Sequence, residues 1–304
     1  MRMIAAELAI VGGGVAGLTA GLYAVRDRVD TVLLERMGTG GWLVNADQVE
    51  NFPGFPHGVK GYELAPLISE QAMNAGLRIE FAEARAVRRE NGVFIVETDG
   101  EPVRARALIA ASGSSLAKLG IPGETEFEGR GVSSCATCDG EFFRDQAVAV
   151  IGGGDSAFDE ALYLAEICTS VTILHRSPPR AQRVLVERAM AHPRITLRRG
   201  EAAAIEGGET VTVLRLQDGT VLPVAGVFIY VGLRPNTGYL AGLAPLDAGG
   251  HVSVDLWMRT PVPGLLAAGD LRQHSARQLV ASAGDGATAA LAAIRYLRAG
   301  EWNG

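Results

Sequence analysis

Cysteine is scarce. The 304-residue chain carries three, Cys135, Cys138 and Cys168, too few to staple a small secreted scaffold. Cys135 and Cys138 have metal-ligand spacing, but no second Cys-x-x-Cys or His pair stands nearby. A closed zinc site takes four ligands, so redox chemistry is the better reading and no metal is expected. Cys168 falls on the apolar face of a helical pattern and reads as a small core residue. Positive charge is short as well. The 28 Lys and Arg are outnumbered by 34 Asp and Glu, a formal net charge of −6, whereas nucleic-acid binding needs concentrated basic surface. No apolar run nears the roughly 18–20 residues of a membrane-spanning helix, and the N-terminus shows no charged-then-apolar signal segment. The expected setting is the cytoplasm, with neither nucleic acid nor membrane as partner. Glycine, at 39 residues, and apolar side chains, at 48%, are plentiful. The length points to about two domains with large cores and many close backbone approaches.

Residues 5–11 form a short apolar run that reads as a buried parallel strand. Gly12-Gly13-Gly14-Val15-Ala16-Gly17 follows, then a helical pattern through Leu18, Leu22 and Val25. Gly12 permits the tight turn, Gly14 lets backbone approach a pyrophosphate on the helix N-terminus, and Gly17 lets the helix pack on the strand. A second strand over 31–34 ends in Glu35, 18 residues beyond Gly17, where an acid reaches ribose hydroxyls. With both flanking elements in place, the pattern predicts dinucleotide binding.

The pattern occurs twice. At a constant offset of 140, Gly12 falls on Gly152, Gly14 on Gly154, Gly17 on Ala157 and Tyr23 on Tyr163. This internal repeat predicts two nucleotide domains. The repeat departs where Glu35-Arg36 falls on His175-Arg176. Losing the acid removes repulsion against a ribose 2′-phosphate, and an Arg pairs with one. Gly152, Gly154, Asp155, Ser156, Ala157, His175, Arg176 and Arg180 are therefore the candidate NADPH-binding residues. Between the units stands Cys135-Ala136-Thr137-Cys138-Asp139. Its thiols share a face if they open a helix, and a helix N-terminus lowers a thiol pKa.

Further segments resemble a known family. Gly40-Gly41-Trp42-Leu43, Glu50-Asn51-Phe52-Pro53-Gly54-Phe55, Ser112-Gly113, the Cys-Ala-Thr-Cys-Asp stretch, Gly269-Asp270 and Arg277-Gln278 are similar to segments of low-molecular-weight thioredoxin reductases. The family has Gln where Trp42 stands, and Tyr where Ala276 stands. The resemblance implies an α/β fold of two Rossmann-like (three-layer ββα/βαβ) nucleotide-binding domains, the second inserted into the first. An FAD domain would span 1–113 and 246–304. An NADPH-type domain carrying the Cys pair would span 118–241, with hinges near 114–118 and 239–246 allowing one domain to rotate on the other.

The resemblance also assigns roles. FAD would be held by Gly12, Gly14, Gly17, Glu35, Arg36, Gly41, Trp42, Asn51, Gly113, Asp270, Arg277 and Gln278. Cys138 would exchange electrons with the flavin, Cys135 would attack the disulfide of a thioredoxin-like small redox protein, and Asp139 would manage the departing thiolate's proton. A homodimer is implied, and Trp302 stands where some relatives carry an aromatic that covers the partner subunit's flavin. The family's His-Arg-Arg run with a third Arg four residues on becomes His175-Arg176-Ser177-Pro178-Pro179-Arg180. Two readings stay open: drift in a working NADPH site, or a site that no longer takes NADPH and is replaced by a ferredoxin-like or other donor. A flavin electron carrier or sensor with a regulatory disulfide is the alternative function.

The expected local structure includes a helix over 64–75, antiparallel strands over 78–88, 93–98 and 103–106, a buried strand over 107–111, and a helix over 279–296.

Overall fold

The structure, a computed structural model, describes residues 3–302. The chain opens with β1 (Ile4–Val11), α1 (Val15–Arg26) and β2 (Thr31–Glu35). Then come α2 (Gly61–Asn74), β3 (Arg78–Phe81), β4 (Ala84–Glu90), β5 (Val93–Thr98) and β6 (Val103–Ala110). After β7 (Ser114–Leu116) follow β8 (Val132–Ser133), α3 (Ala136–Asp139), β9 (Ala147–Gly152), α4 (Asp155–Ile167), β10 (Ser170–His175), α5 (Arg183–Ala191) and β11 (Ile195–Arg199). A meander of β12 (Ala202–Gly207), β13 (Val211–Leu216) and β14 (Val221–Pro223) precedes β15 (Gly226–Tyr230). The chain returns through β16 (Leu233–Pro235) to β17 (Leu265–Ala267) and α6 (Leu279–Ala299).

Two compact units result: Met1–Ser115 with Arg234–Gly304, and Leu116–Leu233. The return crossing therefore falls at 233/234 rather than between 241 and 246. Leu240 and Ala244 are buried in the first unit's core, and Asn236 donates its amide to Gly113 O at 3.0 Å, so burial and backbone pairing both assign this stretch to the first unit.

In the first unit a seven-stranded sheet runs β3-β2-β1-β6-β5-β4, with β17 also on β6. Residues 78–88 do not form one strand. Arg78–Phe81 pairs parallel with β2, and Ala84–Glu90 pairs antiparallel with β5. Conversely, the segments 103–106 and 107–111 are one strand, β6. Its burial alternates at first and then is complete from Ala107 to Ala110, because its first half pairs with the β5 meander and its second half lies between layers. One face of the sheet is covered by α1 and α6, around Leu18, Ile109 and Ala289. The other face is covered by a cluster around Phe94, Val96 and Leu240. A Cβ on Gly286 of α6 would collide with the Ala16 carbonyl of α1, so small residues let these helices approach closely.

The second unit has a parallel five-stranded sheet, β11-β10-β9-β15-β8, and an antiparallel three-stranded sheet, β12-β13-β14. Its core packs α4, with Phe158, Ala161 and Leu164, against Val150, Ile173 and Phe228. Cys168 is fully buried there. Among the described residues no helix is long and apolar enough to cross a membrane.

Candidate active site

In the first unit β1 turns through Gly12–Gly14 into α1. A Cβ on Gly12 would collide with the Ala111 carbonyl, and one on Gly17 with the Gly12 carbonyl. Strand, turn and helix touch at those two positions. Gly14 differs, because an added Cβ meets nothing within 4 Å. Packing inside the protein places no demand on it. The open space over the N-terminus of a 12-residue helix suits a close-approaching pyrophosphate. Glu35 Oε2 accepts the Gly13 amide at 2.7 Å, and Oε1 accepts the Met37 amide at 3.0 Å. The carboxylate is thereby fixed at the end of β2 with lone pairs left for ribose hydroxyls. Arg36 lies on the exposed surface, 3.7 Å from Glu83.

Distant segments meet in this unit. Gly40 (φ +108°) opens the turn Gly41–Asn45, and the Trp42 indole donates from Nε1 to Ser114 O at 2.6 Å. The ring is pinned at one edge while 47% of the residue stays exposed, which leaves a face free to pack on a ligand. Asn51 Nδ2 donates to Gln278 Oε1 at 3.1 Å across 227 residues of chain. Ser114 Oγ donates to Asp270 O, and Ser275 Oγ donates to Asp270 Oδ1 at 3.0 Å. Ser275 Oγ also accepts the amide of Arg277, a residue at φ +53°, so one serine ties Asp270 to Arg277. Burial raises the Asp270 carboxyl above the usual range, against Ser275 and the Arg277 charge. These residues fit FAD: an open glycine cradle, a fixed ribose acid, and a Gly-Asp turn beside an Asn–Gln pair.

The second unit carries the thiols. Cys135 and Cys138 form a disulfide around α3, and Cys135 Sγ accepts the Cys138 amide at 3.2 Å. The helix is a single turn that starts after Cys135, not at it. Cys138 is exposed and Cys135 half-buried. Ser133 Oγ donates to Asp139 Oδ2 at 2.6 Å, which holds the acid's carboxyl in place.

The repeat is visible as structure. A Cβ on Gly152 would approach Ala157 Cβ to 2.8 Å, whereas one on Gly154 meets nothing within 4 Å. The second turn thus shows the same close contact and the same open cradle. Asp155 accepts the Gln182 amide at 2.8 Å and its side-chain amide at 3.1 Å. Ser156 is exposed and Ala157 buried on α4. His175 Nδ1 lies 3.0 Å from Ser177 O. The shortened Pro178-Pro179 loop still docks on the turn, because the Arg180 and Ala181 amides donate to Gly153 O at 2.7 and 3.2 Å. The Arg176 and Arg180 side chains are exposed, and neither has an ion-pair partner among the described residues.

Sequence reasoning missed three features. Ser275 had no local signal. Asp285 is a buried acid in a helix of small residues, paired with Arg272, and that oddity was legible. Glu160 on α4 accepts the Ala136 amide at Oε2, 2.6 Å away. The repeat aligns it with Ala20, a fully buried position, so a charge there was a signal. Trp302 is held in its own unit. It donates from Nε1 to Thr260 O at 3.2 Å and packs edge-on against Tyr296 with ring centroids 5.2 Å apart.

Comparison with known proteins agrees with this geometry. The family model for pyridine nucleotide-disulphide oxidoreductase matches residues 6–287. The chain is 41% identical over 299 residues to the thioredoxin reductase of Mycolicibacterium smegmatis, covering 96% of each. It is 40% identical over 298 residues to that of Treponema pallidum (strain Nichols), covering 96% of this chain and 97% of the other. The crystal structure of Lactococcus lactis thioredoxin reductase (FR conformation) superposes with a TM-score of 0.93 at 37% identity, covering 96% of this chain and 99% of that one.

Proposed function

This chain belongs to the pyridine nucleotide-disulphide oxidoreductase family, and on that premise we propose that it is a FAD-dependent thioredoxin reductase that passes electrons to the disulfide of a small redoxin through Cys135 and Cys138. The observation that carries the reading is the Cys135–Cys138 disulfide, with Asp139 held behind it by Ser133. Bound FAD supplies the two electrons that open this disulfide.

The protein's own residues then do the following. The Cys135 thiolate attacks one sulfur of the redoxin disulfide, forming a mixed disulfide and releasing the other sulfur as a thiolate. Asp139 delivers a proton to that leaving sulfur. Cys138 attacks Cys135 Sγ, re-forms the Cys135–Cys138 bond and releases the second redoxin thiol. The redoxin gains two electrons and two protons, and the enzyme pair loses them. On the flavin side, Gly12, Gly14 and Gly17 shape the pyrophosphate cradle, Glu35 takes the adenosine ribose, and Asp270 with Arg277, Gln278 and Asn51 borders the remainder of the cofactor.

NADPH is the proposed donor, at the second glycine turn. The docking of Arg180 on Gly153 supports it, because the one-residue shortening leaves an Arg beside the cradle. Two exposed guanidiniums with no ion-pair partner among the described residues suit a 2′-phosphate. These features favour the drifted but working site over a ferredoxin-like donor. A homodimer is proposed from family resemblance and is tested by light scattering. A cytoplasmic location is proposed because a cycling dithiol needs a reducing compartment.

The deciding experiment mixes the flavin-loaded protein anaerobically with NADPH and then adds oxidised thioredoxin. Bleaching of the flavin followed by thioredoxin reduction is expected, with turnover abolished in Cys135→Ser and Cys138→Ser. Bleaching without thioredoxin reduction sinks the reductase reading in favour of a carrier or sensor. Failure of NADPH to bleach the flavin sinks the donor assignment.

A further inference from the structure

Glu160 lies one turn into α4, and its carboxyl is turned toward the segment between the two cysteines. Its Oε2 accepts the Ala136 amide at 2.6 Å, and the Thr137 amide faces the same carboxyl. The Tyr230 hydroxyl, at the end of β15, is buried near this carboxyl and favours its charge, yet it makes no hydrogen bond of proper geometry among the described residues. Its neighbours Ala136 and Ala161 are fully buried, while Glu160 itself keeps part of its surface exposed. The acid is therefore half-buried under the redox loop, held by two backbone amides with one phenol nearby.

Backbone amides of a Cys-x-x-Cys loop are the natural donors to a thiolate. Here the Cys138 amide already points at Cys135 Sγ, 3.2 Å away. The next two amides, those of Ala136 and Thr137, are engaged by Glu160 instead. Opening the disulfide breaks one S–S bond with two electrons and leaves two sulfurs that share up to two protons. Negative charge then develops beside the turn whose Ala136 and Thr137 amides the Glu160 carboxylate already holds. Two such charges cannot both be stabilised there, so protonation of one is coupled to ionisation of the other.

We propose that Glu160 is a positioning residue that couples proton uptake to the opening of the Cys135–Cys138 disulfide, holding the Ala136–Thr137 turn and taking a proton as charge develops on the sulfurs. The inference rests on reading the pair as a redox-cycling dithiol. Burial supports it by pushing the Glu160 carboxyl up to about 7 despite the amides that favour its charge. The titratable groups facing it are Asp159 on α4, Tyr230 on β15 and, beyond Tyr230, Asp139 on α3. Burial, and then the Glu160 charge, keeps the Tyr230 phenol protonated.

The test uses the full, flavin-loaded chain. Its disulfide is opened with dithiothreitol, so the result depends on neither electron donor nor redoxin. Iodoacetamide alkylation of Cys135 and Cys138 is then followed across a pH series by peptide mass spectrometry. Cys168 adds no background, since burial pushes its thiol up to about 11. The wild-type rate profile is expected to carry an inflection near pH 7, the value to which Glu160 is pushed. Glu160→Gln removes it and speeds alkylation above neutrality by about three- to tenfold. Tyr230→Phe removes the nearby phenol dipole that favours the charged carboxylate and moves the inflection to higher pH. An unchanged inflection in Glu160→Gln overturns the proposal, as does a Tyr230→Phe profile that matches wild type or an inflection that vanishes in Asp139→Asn instead. Should Glu160→Gln fail to retain flavin, the Tyr230→Phe arm decides. Loss of thioredoxin turnover alongside an intact inflection counts against the reductase reading, not against this coupling.

Discussion

Arg272 grips Asp285 with both sides of its guanidinium, Nε to Oδ2 at 2.6 Å and Nη2 to Oδ1 at 2.9 Å. Asp285 Oδ2 also accepts the Gly269 amide at 3.1 Å. This nearly buried pair ties the turn that carries Asp270 to α6, the helix that Gln278 precedes. Removing one partner strands a charge. Asp285→Ala is expected to cost about 3–5 kcal/mol of stability and to release flavin faster. Urea unfolding and the rise of free-flavin fluorescence check both effects. Stability loss with flavin retention unchanged would show that the pair is structural only.

The two open cradles make a paired prediction. Gly14 (φ −74°) and Gly154 (φ −102°) have backbone conformations that alanine adopts, and an added methyl meets nothing in the protein. Gly14→Ala should fold normally yet bind FAD at least about tenfold more weakly. Gly154→Ala should keep its flavin and lose NADPH affinity by a similar factor. Flavin content and NADPH titration separate the two. Gly12→Ala is the control expected to disturb folding, since its methyl would strike the Ala111 carbonyl.

Ser177 stands where the family's second arginine falls. If the site takes the 2′-phosphate through Arg176 and Arg180, Ser177→Arg adds one charged contact of roughly 1.5–3 kcal/mol. NADPH affinity should rise by about tenfold or more, with NADH affinity unchanged. Equal changes for both nucleotides would mean that the loop does not contact the phosphate. Arg176→Ala should weaken NADPH alone, and the difference should shrink in high salt.

The raised Glu160 carboxyl has a stability consequence. Its folded-state value, about 7, lies above its ordinary 4.5, so folding is favoured by the protonated form. That contribution is fully present below about pH 4.5 and is lost as pH rises through about 7. Relative to Glu160→Gln, the oxidised wild-type protein should lose on the order of 2–3 kcal/mol of unfolding free energy across that window. Denaturant unfolding at a series of pH values measures it. A flat difference between the two proteins rules out the raised carboxyl.

Much of the fold could be read locally. Gly12–Gly17 and its echo at 152–157 announced both cradles, because a strand, a glycine turn and a helix are contiguous. The disulfide pair was legible for the same reason. The strand boundaries were not. β6 looked like two strands because its burial pattern changes halfway, when its neighbour changes from β5 to β17. The return to the first unit reads late in the sequence because nothing in residues 234–245 shows that Leu240 and Ala244 are core. That Trp302 packs on Tyr296 and donates to Thr260 of its own unit was not legible either, since those partners are set by the fold.

The glycine turns, Cys135-Ala136-Thr137-Cys138-Asp139 and Gly269-Asp270 were determined by sequence alone, since a few adjacent residues set the backbone's conformation and reactive groups. Tertiary structure alone decided that Asn51 meets Gln278, that Asp285 closes on Arg272 beneath Gly269, and that Glu160 sits under Ala136 beside Tyr230. Those outcomes depend on burial, and burial is decided by segments far away in the chain. An acid on a helix is ordinary until a strand end and a redox loop close over it, and then its proton becomes part of the chemistry.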